Sequence, residues 1–355
     1  MISATGIVQR NSTATWRANS SFFVTVIVYT LAACAAASHW VIPINVRLYS
    51  EPFWLFGFGV TLILFVVVAT RVMLERPQRL FPALWDRLVA NDLPKRLVTG
   101  LPVMLILPVF FSLFTSMKGD LGRMMPFYAD STLIAIDRAI HGGADAWLLL
   151  HPFFGYGPVT LAANFFYNLW FVVMGVVLFC VTFSVGNPRV RAQYLVAFVL
   201  TWALLGNLAA SLFASVGPAF VMTFYGNATF SPLMDYLHAT DVSYPIWALQ
   251  TQQALLAEVT LDGPRLGGGI SAFPSLHVAI ATLNAIYLWR FGGPLRWAGV
   301  AFLIVIQLGS VLLAWHYGID GYASMLATPI IWIVAGLIAK PWPRSTRIEI
   351  PSQSR

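Results

Sequence analysis

Apolar residues run in long blocks free of charge: Ala18–Val46, Pro52–Thr70, Leu97–Met117, Ala146–Pro188, Ala192–Met234, Leu266–Trp289, Trp297–Ile319 and Gly321–Ala339. A membrane-spanning helix needs about 20 mostly apolar residues, so each block holds one. The two longest are broken by Gly and Pro. His151-Pro152 and Gly155-Tyr156-Gly157-Pro158 leave a helix near 160–185, and Gly217-Pro218 leaves one near 193–214, because Pro lacks an amide donor and disfavours helix before it. The pattern predicts an all-α integral membrane protein with about eight transmembrane helices. Between the blocks, Phe81–Pro94 mixes apolar and charged positions and is expected along one interface. Asp130–His141 has apolar residues at helical spacing and is expected as a short surface helix.

Composition agrees. Of 355 residues 58% are apolar and only 10% charged, against about 25% charged in soluble domains. That excludes a cytosolic enzyme, a disordered chain and a disulfide-built secreted domain. The net charge of +7 invites a nucleic-acid reading until the charges are placed. With eight crossings, 16 of the 21 Lys+Arg fall on the side of the termini and five on the other. The positive-inside rule makes the terminal side cytoplasmic. The basic balance therefore records orientation, and no nucleic-acid partner is expected. The opposite, extracytoplasmic side carries two long segments, Lys118–Pro158 and Gly217–Pro274, and long connections are often functional. Leu31-Ala32-Ala33-Cys34 resembles a lipoprotein cleavage site, but the apolar run continues to Val46, so an uncleaved first helix is expected. Cys34 and Cys180 imply neither a disulfide nor a thiolate metal site.

Ionisable residues in lipid are costly and call for a reason. His39, His141, His151 and His238 read as interfacial or structural. His277 and His316 stand in richer surroundings. Ser271-Ala272-Phe273-Pro274-Ser275-Leu276-His277 opens the sixth helix, with Ser275 placed as N-cap. Free backbone N–H groups at such a start favour an anion. The bland reading is a capped helix with an interfacial His. In His316-Tyr317-Gly318-Ile319-Asp320, a locally helical stretch puts His316 and Asp320 on one face, where the carboxylate fixes the imidazole tautomer. The bland reading is Asp320 capping the last helix. Lys118 ends the third helix at the same membrane face. Asn164, Asn168, Asn207 and Gln307 read as interhelical hydrogen bonders.

These residues resemble the phosphatidic-acid phosphatase type 2 superfamily, whose motifs are Lys-x6-Arg-Pro, Pro-Ser-Gly-His and Ser-Arg-x5-His-x3-Asp. Here Lys118 and Pro126 match the first, with Met125 where Arg is expected. Pro274-Ser275-Leu276-His277 carries Leu276 for Gly. The third keeps His316 and Asp320, with Gly309-Ser310 in place of Ser-Arg. Phe273-Pro274-Ser275-Leu276-His277-Val278-Ala279, His316-Tyr317-x2-Asp320, Gly217-Pro218 and Pro126-Phe127-Tyr128-x-Asp130 are similar to the inositol phosphorylceramide synthase-like (aureobasidin-target) group. The resemblance covers roughly Lys118 to Leu337. It implies a six-helix catalytic core preceded by two extra helices, with boundaries expected at 1–96, 97–340 and a tail at 341–355.

The resemblance further implies a metal-independent phosphotransferase or phosphatase without a cofactor, acting on a phospholipid or polyprenyl phosphate, with a hydroxyl acceptor or water. His316 is the implied nucleophile, Asp320 its orienting partner and His277 the general acid and base. Lys118 and the amides around Ser275 are implied phosphate ligands, and Arg123 and Arg265 are candidates for the cationic roles vacated at Met125 and Ser310. The expected location is a bacterial inner membrane, with the site on the extracytoplasmic face. A multi-pass transporter and an inactive scaffold are the rival readings.

Overall fold

The computed structural model describes residues 4–258 and 268–339. Among them are sixteen α-helices and no strand. Seven helical rods are long and apolar enough to cross a membrane. Six are α1 (Ala4–Trp40, apolar from Asn19), α2 (Ser50–Leu74), α4 (Leu93–Gly119), α8 (Gly157–Thr182), α15 (Gly293–Leu312) and α16 (Gly318–Ile338). The seventh is compound: α9 (Pro188–Thr201), a π-helical stretch (Trp202–Ala209) and α10 (Ala210–Leu212) form one span from Pro188 to Leu212. The eighth expected crossing, α14 (Leu276–Trp289), has only 14 residues, about 21 Å of rise. It packs against α8, α9, α15 and α16, and ten of its residues are buried. Protein rather than lipid surrounds it, which relieves it of the need to match the bilayer thickness.

By contrast α2 buries only Gly57 and Val72. Its Leu55, Phe58 and Ile63 are exposed, as suits a peripheral helix facing lipid. The segment Phe81–Pro94, expected along one interface, falls largely on α3 (Leu80–Ala90), which has no buried residue. The first helix ends at Trp40, earlier than the apolar run, because Pro43 follows. The fifth span begins at Pro188, five residues before the expected start. Asn187 caps it by accepting from the Val190 N–H at 3.1 Å, and Pro188 occupies the first turn.

Starting at Pro188 also carries Arg191 into the interior, where it is 3% exposed. Its guanidinium donates to the Thr182 carbonyl (3.0 Å), to Asn19 Oδ1 (2.7 Å) and to the Thr99 carbonyl (3.1 Å). Asn19 in turn donates to the Thr99 carbonyl at 2.9 Å. One cation of the basic side thus ties together α1, α4, α8 and α9.

At the opposite end of the bundle the two long segments expected as loops are mostly helical. The first holds α5 (Leu121–Met124), α6 (Asp130–Ile140) and α7 (Ala146–Phe154), α6 being the helix read from its spacing. The second holds α11 (Val221–Tyr225), α12 (Ser231–Asp241) and α13 (Trp247–Glu258). The expected boundary at residue 97 falls just inside α4, and the expected tail 341–355 lies outside the described residues.

Candidate functional site

The site is built on two helix starts. At α16, Asp320 is the third residue and turns back on the chain before the helix. Its Oδ2 accepts from the Tyr317 N–H at 3.1 Å and lies 3.2 Å from His316 Nδ1. His316 precedes the helix instead of belonging to it. The contact therefore arises from capping geometry, not from the shared helical face the spacing suggested. Both readings of this stretch hold together: Asp320 caps α16 and, with the same oxygen, holds His316. The turn is fixed from the other side, where the Ser310 carbonyl accepts from the Trp315 and His316 N–H groups, each at 3.0 Å.

At α14, Ser275 is the N-cap and is fully buried. Its hydroxyl accepts from the Val278 N–H at 3.5 Å, a long contact. The main chain of Ser275 is held better. Its N–H donates to the Asp320 carbonyl at 3.1 Å, and its carbonyl accepts from the Ser324 hydroxyl at 2.8 Å. The first turns of α14 and α16 are thereby clamped together, which brings His277 to the side of the bundle that carries His316.

His277 is held among aromatic rings. Tyr167 stacks on it at 4.5 Å between centroids and 19° between planes, Trp170 sits at 4.2 Å, and Phe171 meets it edge-on at 5.7 Å. Trp170 Nε1 donates to the His277 carbonyl at 2.9 Å. His316 and Lys118 both lie within electrostatic reach of His277. Lys118, half-buried in the last turn of α4, makes no ion pair among the described residues. Gly269, at φ +92°, packs so closely on the Lys118 carbonyl that a side chain there would collide with it.

Around these groups several buried polar atoms have no hydrogen-bond partner among the described residues: the Tyr167 hydroxyl, Trp315 Nε1, Gln307 Oε1 and Asp320 Oδ1. Trp315 lies parallel to Tyr167, 6.3 Å away. Native proteins leave few such groups unsatisfied, and here one of them, the Tyr167 hydroxyl, belongs to the ring stacked on His277.

Asp130 organises the loops above the pair. It is 2% exposed. Oδ1 accepts from the Gly217 N–H (2.9 Å) and the Tyr317 hydroxyl (2.8 Å); Oδ2 accepts from the Tyr225 hydroxyl (2.9 Å); the Val216 N–H reaches both, at 3.2 and 2.9 Å. Burial and the Asp130 carboxylate push both phenols above their ordinary pKa, so they remain donors. Gly217 has φ +87°, and a Cβ there would meet the Trp315 carbonyl oxygen at 2.9 Å. The Gly217-Pro218 turn can approach the His316 segment only because residue 217 has no side chain. Nearby, Asp137 Oδ1 accepts from the Ile319 N–H at 2.8 Å, and burial raises its carboxyl above the usual range.

The remaining candidates lie elsewhere or do other work. Arg123 is 66% exposed and pairs with Asp120 at 3.3 Å, with no contact to either histidine. Arg265 lies outside the described residues. His141 is structural, bridging the Asp137 carbonyl (2.7 Å) and the Tyr322 hydroxyl (3.0 Å). His151 packs against Trp147 and Tyr236. Asn164 accepts from the Ala248 N–H at 3.1 Å, and Asn207 accepts from the Tyr29 hydroxyl at 2.7 Å. Gln307 donates to the Gly318 carbonyl at 3.3 Å, and Asn168 bonds within its own helix, to the Asn164 carbonyl at 2.8 Å.

The family model of the PAP2 superfamily matches residues 131–334, more than half of the chain. The chain belongs to the PAP2 superfamily. With its seven apolar spans this makes it a PAP2 membrane protein, consistent with the lipid phosphatase and phosphotransferase class. The match spans α6 to α16 and so includes His277, His316 and Asp320, while Lys118 and Arg123 precede it. No curated protein and no solved structure matches the chain. Within the candidate site, Tyr167, Trp170 and Trp315 escaped the sequence reading because aromatic residues in apolar runs read as core, and Tyr317 stood in the His316-Tyr317-x2-Asp320 motif without a role. Asp130 stood in a quoted motif without a role. Its signal was a carboxylate next to an apolar helix that a solvated surface does not require.

Proposed function

We propose that this PAP2 protein is a membrane phosphotransferase that moves the phospho-headgroup of a phospholipid or polyprenyl phosphate to a hydroxyl acceptor, with water as a competing acceptor. The observation that carries this reading is the His316 Nδ1–Asp320 Oδ2 contact of 3.2 Å, made beside His277 at the end of the bundle that also holds Lys118. With Nδ1–H donated to Asp320, Nε2 of His316 keeps its lone pair. It attacks phosphorus, a P–N bond forms, and the P–O bond to the leaving group breaks. His277 gives that oxygen its proton. In the second step the acceptor oxygen attacks phosphorus, the P–N electrons return to Nε2, and His277 takes the acceptor's proton.

Charge on the phosphate oxygens is met by Lys118 and by neutral donors. The Tyr167 hydroxyl is on the ring stacked against His277, and the Trp315 indole N–H is on a ring parallel to Tyr167. Neither has a partner among the described residues, and both take up work that arginines do in the family motifs at the positions of Met125 and Ser310. Preorganised donors of this kind act strongly in a site shielded from water. Likeness to the inositol phosphorylceramide synthase-like motifs supports transfer over hydrolysis, and the distribution of cations supports a site on the extracytoplasmic face of the membrane.

The test is turnover by the purified chain of labelled phospholipids and polyprenyl phosphates, with and without added alcohols. The expected result is phosphoryl or phospho-headgroup transfer that competes with hydrolysis and disappears in His316→Ala. Turnover that survives the loss of His316 contradicts the mechanism. Strict hydrolysis at saturating alcohol contradicts transfer while leaving the nucleophile in place.

A further inference from the structure

At the end of the bundle away from His316, the link between α2 and α4 carries charge and apolar surface that the fold itself does not use. Residues 71–96 hold six Lys and Arg against three Asp and Glu. Glu75 is taken by Arg87, which donates to both carboxylate oxygens at 2.8 and 2.7 Å and so ties α3 to the end of α2. Arg96 is taken as well, donating to the Asn91 and Phe183 carbonyls at 2.7 and 3.0 Å. Arg71, Arg76 and Arg79 are exposed and make no ion pair among the described residues. Arg76 has φ +51°, a conformation that glycine adopts with less strain, yet the position holds a cation. We propose that the end of α2 and α3 form a binding surface for the headgroups of anionic phospholipids, in the leaflet opposite the His316 site.

Topology decides what covers α3. It joins two membrane spans, with residues 75–79 before it and only 91–92 after it, so it is held at the bilayer surface. Phe81, Trp85 and Val89 stand four residues apart and form one stripe. They are 83%, 62% and 44% exposed. An amphipathic helix in this position buries such a stripe at the boundary of headgroups and acyl chains. The same end of the bundle carries exposed Trp289 and Trp297, with the Arg296 guanidinium 5.6 and 5.3 Å from their ring centres. Aromatic rings and cations together are the mark of an interface.

Charge then selects the lipid. A guanidinium presents paired N–H donors that match two phosphate oxygens. Three of them within nine residues of chain favour a headgroup of net negative charge over a zwitterion, whose ammonium they repel. The apolar stripe beside them favours a phosphate that carries acyl chains over a free one.

The experiment uses the full chain with Cys34 and Cys180 replaced by Ser and a bimane label on Val89→Cys, in bilayers of phosphatidylcholine and phosphatidylglycerol. Quenching by a brominated form of each lipid measures which one gathers at α3. The expected result is a preference for phosphatidylglycerol of about tenfold or more. Arg76→Gln and Arg79→Gln should each lower it about fivefold, the worth of one cation at an anionic surface. Salt at about 1 M, where the Debye length is ~3 Å, should abolish it. Arg290→Gln removes a charge at the end of α14, outside this surface, and should change the preference less than about twofold. Both arginines of the surface are exposed, so the unfolding midpoint should stay that of the labelled parent. Equal quenching by the two lipids, quenching by neither, or a preference unchanged in both arginine variants overturns the proposal. An equal loss in Arg290→Gln does so too, since it reduces the effect to net charge. Competition by inorganic phosphate at constant ionic strength assigns the cations to a soluble anion and also overturns it. None of these outcomes depends on turnover at His316.

Discussion

Replacing Asp130 by Asn removes a charge and one acceptor oxygen from a carboxylate that four donors address. If the new amide nitrogen takes the Oδ2 position, the bond from Tyr225 and one branch from Val216 are lost. If it takes the Oδ1 position, Gly217 and Tyr317 lose theirs. A hydrogen bond to a charged group contributes about 1.5–3 kcal/mol net. The Tyr225 hydroxyl, on a residue 44% exposed, can turn to water, so the Oδ2 arrangement should prevail. With the charge gone from the remaining bonds, the expected loss is about 2–4 kcal/mol, a large share of the ~5–15 kcal/mol that holds a typical domain. Tyr225→Phe should cost no more than about 1 kcal/mol, because water replaces its bond. The assay is the unfolding midpoint of both variants in one detergent, read alongside turnover. Asp130→Asn should also lower turnover, since Tyr317 adjoins His316. An Asn variant within about 0.5 kcal/mol of wild type, the range of ordinary surface changes, would refute the view that Asp130 organises the site.

Three further outcomes follow from the same geometry. Arg191→Met leaves the Thr182 carbonyl and Asn19 Oδ1 without their donor and the Thr99 carbonyl with Asn19 alone, so the midpoint should fall by about 3 kcal/mol or more while KM for any phospho-substrate stays unchanged; an unshifted midpoint contradicts the interior tie. Tyr167→Phe deletes a hydroxyl that has no partner in the fold, so stability should hold within about 0.5 kcal/mol while kcat/KM falls about tenfold, the worth of one hydrogen bond to the reacting phosphate; equal losses of stability and activity point to a packing role. Burial lowers the pKa of His151 below its ordinary value, so the unfolded chain binds the proton more readily. Stability should therefore decline as pH falls from about 6.5, and His151→Phe should flatten the acid limb of a midpoint-against-pH curve.

The spans and the order of the elements were legible because lipid imposes a simple rule: long apolar runs become helices, and Gly or Pro marks their ends. Ser275 and Asp320 were legible for a similar reason, as capping chemistry is local. Lengths were less so. The brevity of α14 reflects its position inside the bundle, and the early start of α9 depends on where Arg191 finds its acceptors, neither of which a local pattern records. The His316–Asp320 contact was anticipated, but its geometry was not, since the turn is shaped by the Ser310 carbonyl and by Asp130, which is 187 residues from Tyr317 in sequence. The helices of the second long segment were missed because α12 and α13 mix polar and apolar positions without a clear stripe. Aromatic residues of the site were hidden by composition: among 51 Phe, Trp and Tyr residues, the few that face His277 carry no mark of their own.

On the proposed mechanism His316 forms a bond to phosphorus. Wild-type protein, rapidly mixed with a labelled phospho-substrate and quenched in alkali, should carry phosphate on residue 316 in peptide mass spectra, stable to base and lost in acid. In His277→Ala the same adduct should both form and break down more slowly, because His277 serves as acid in the first step and base in the second, and His316→Ala should show none. Label absent from residue 316 under conditions where substrate turns over, or found on another side chain, would contradict the account.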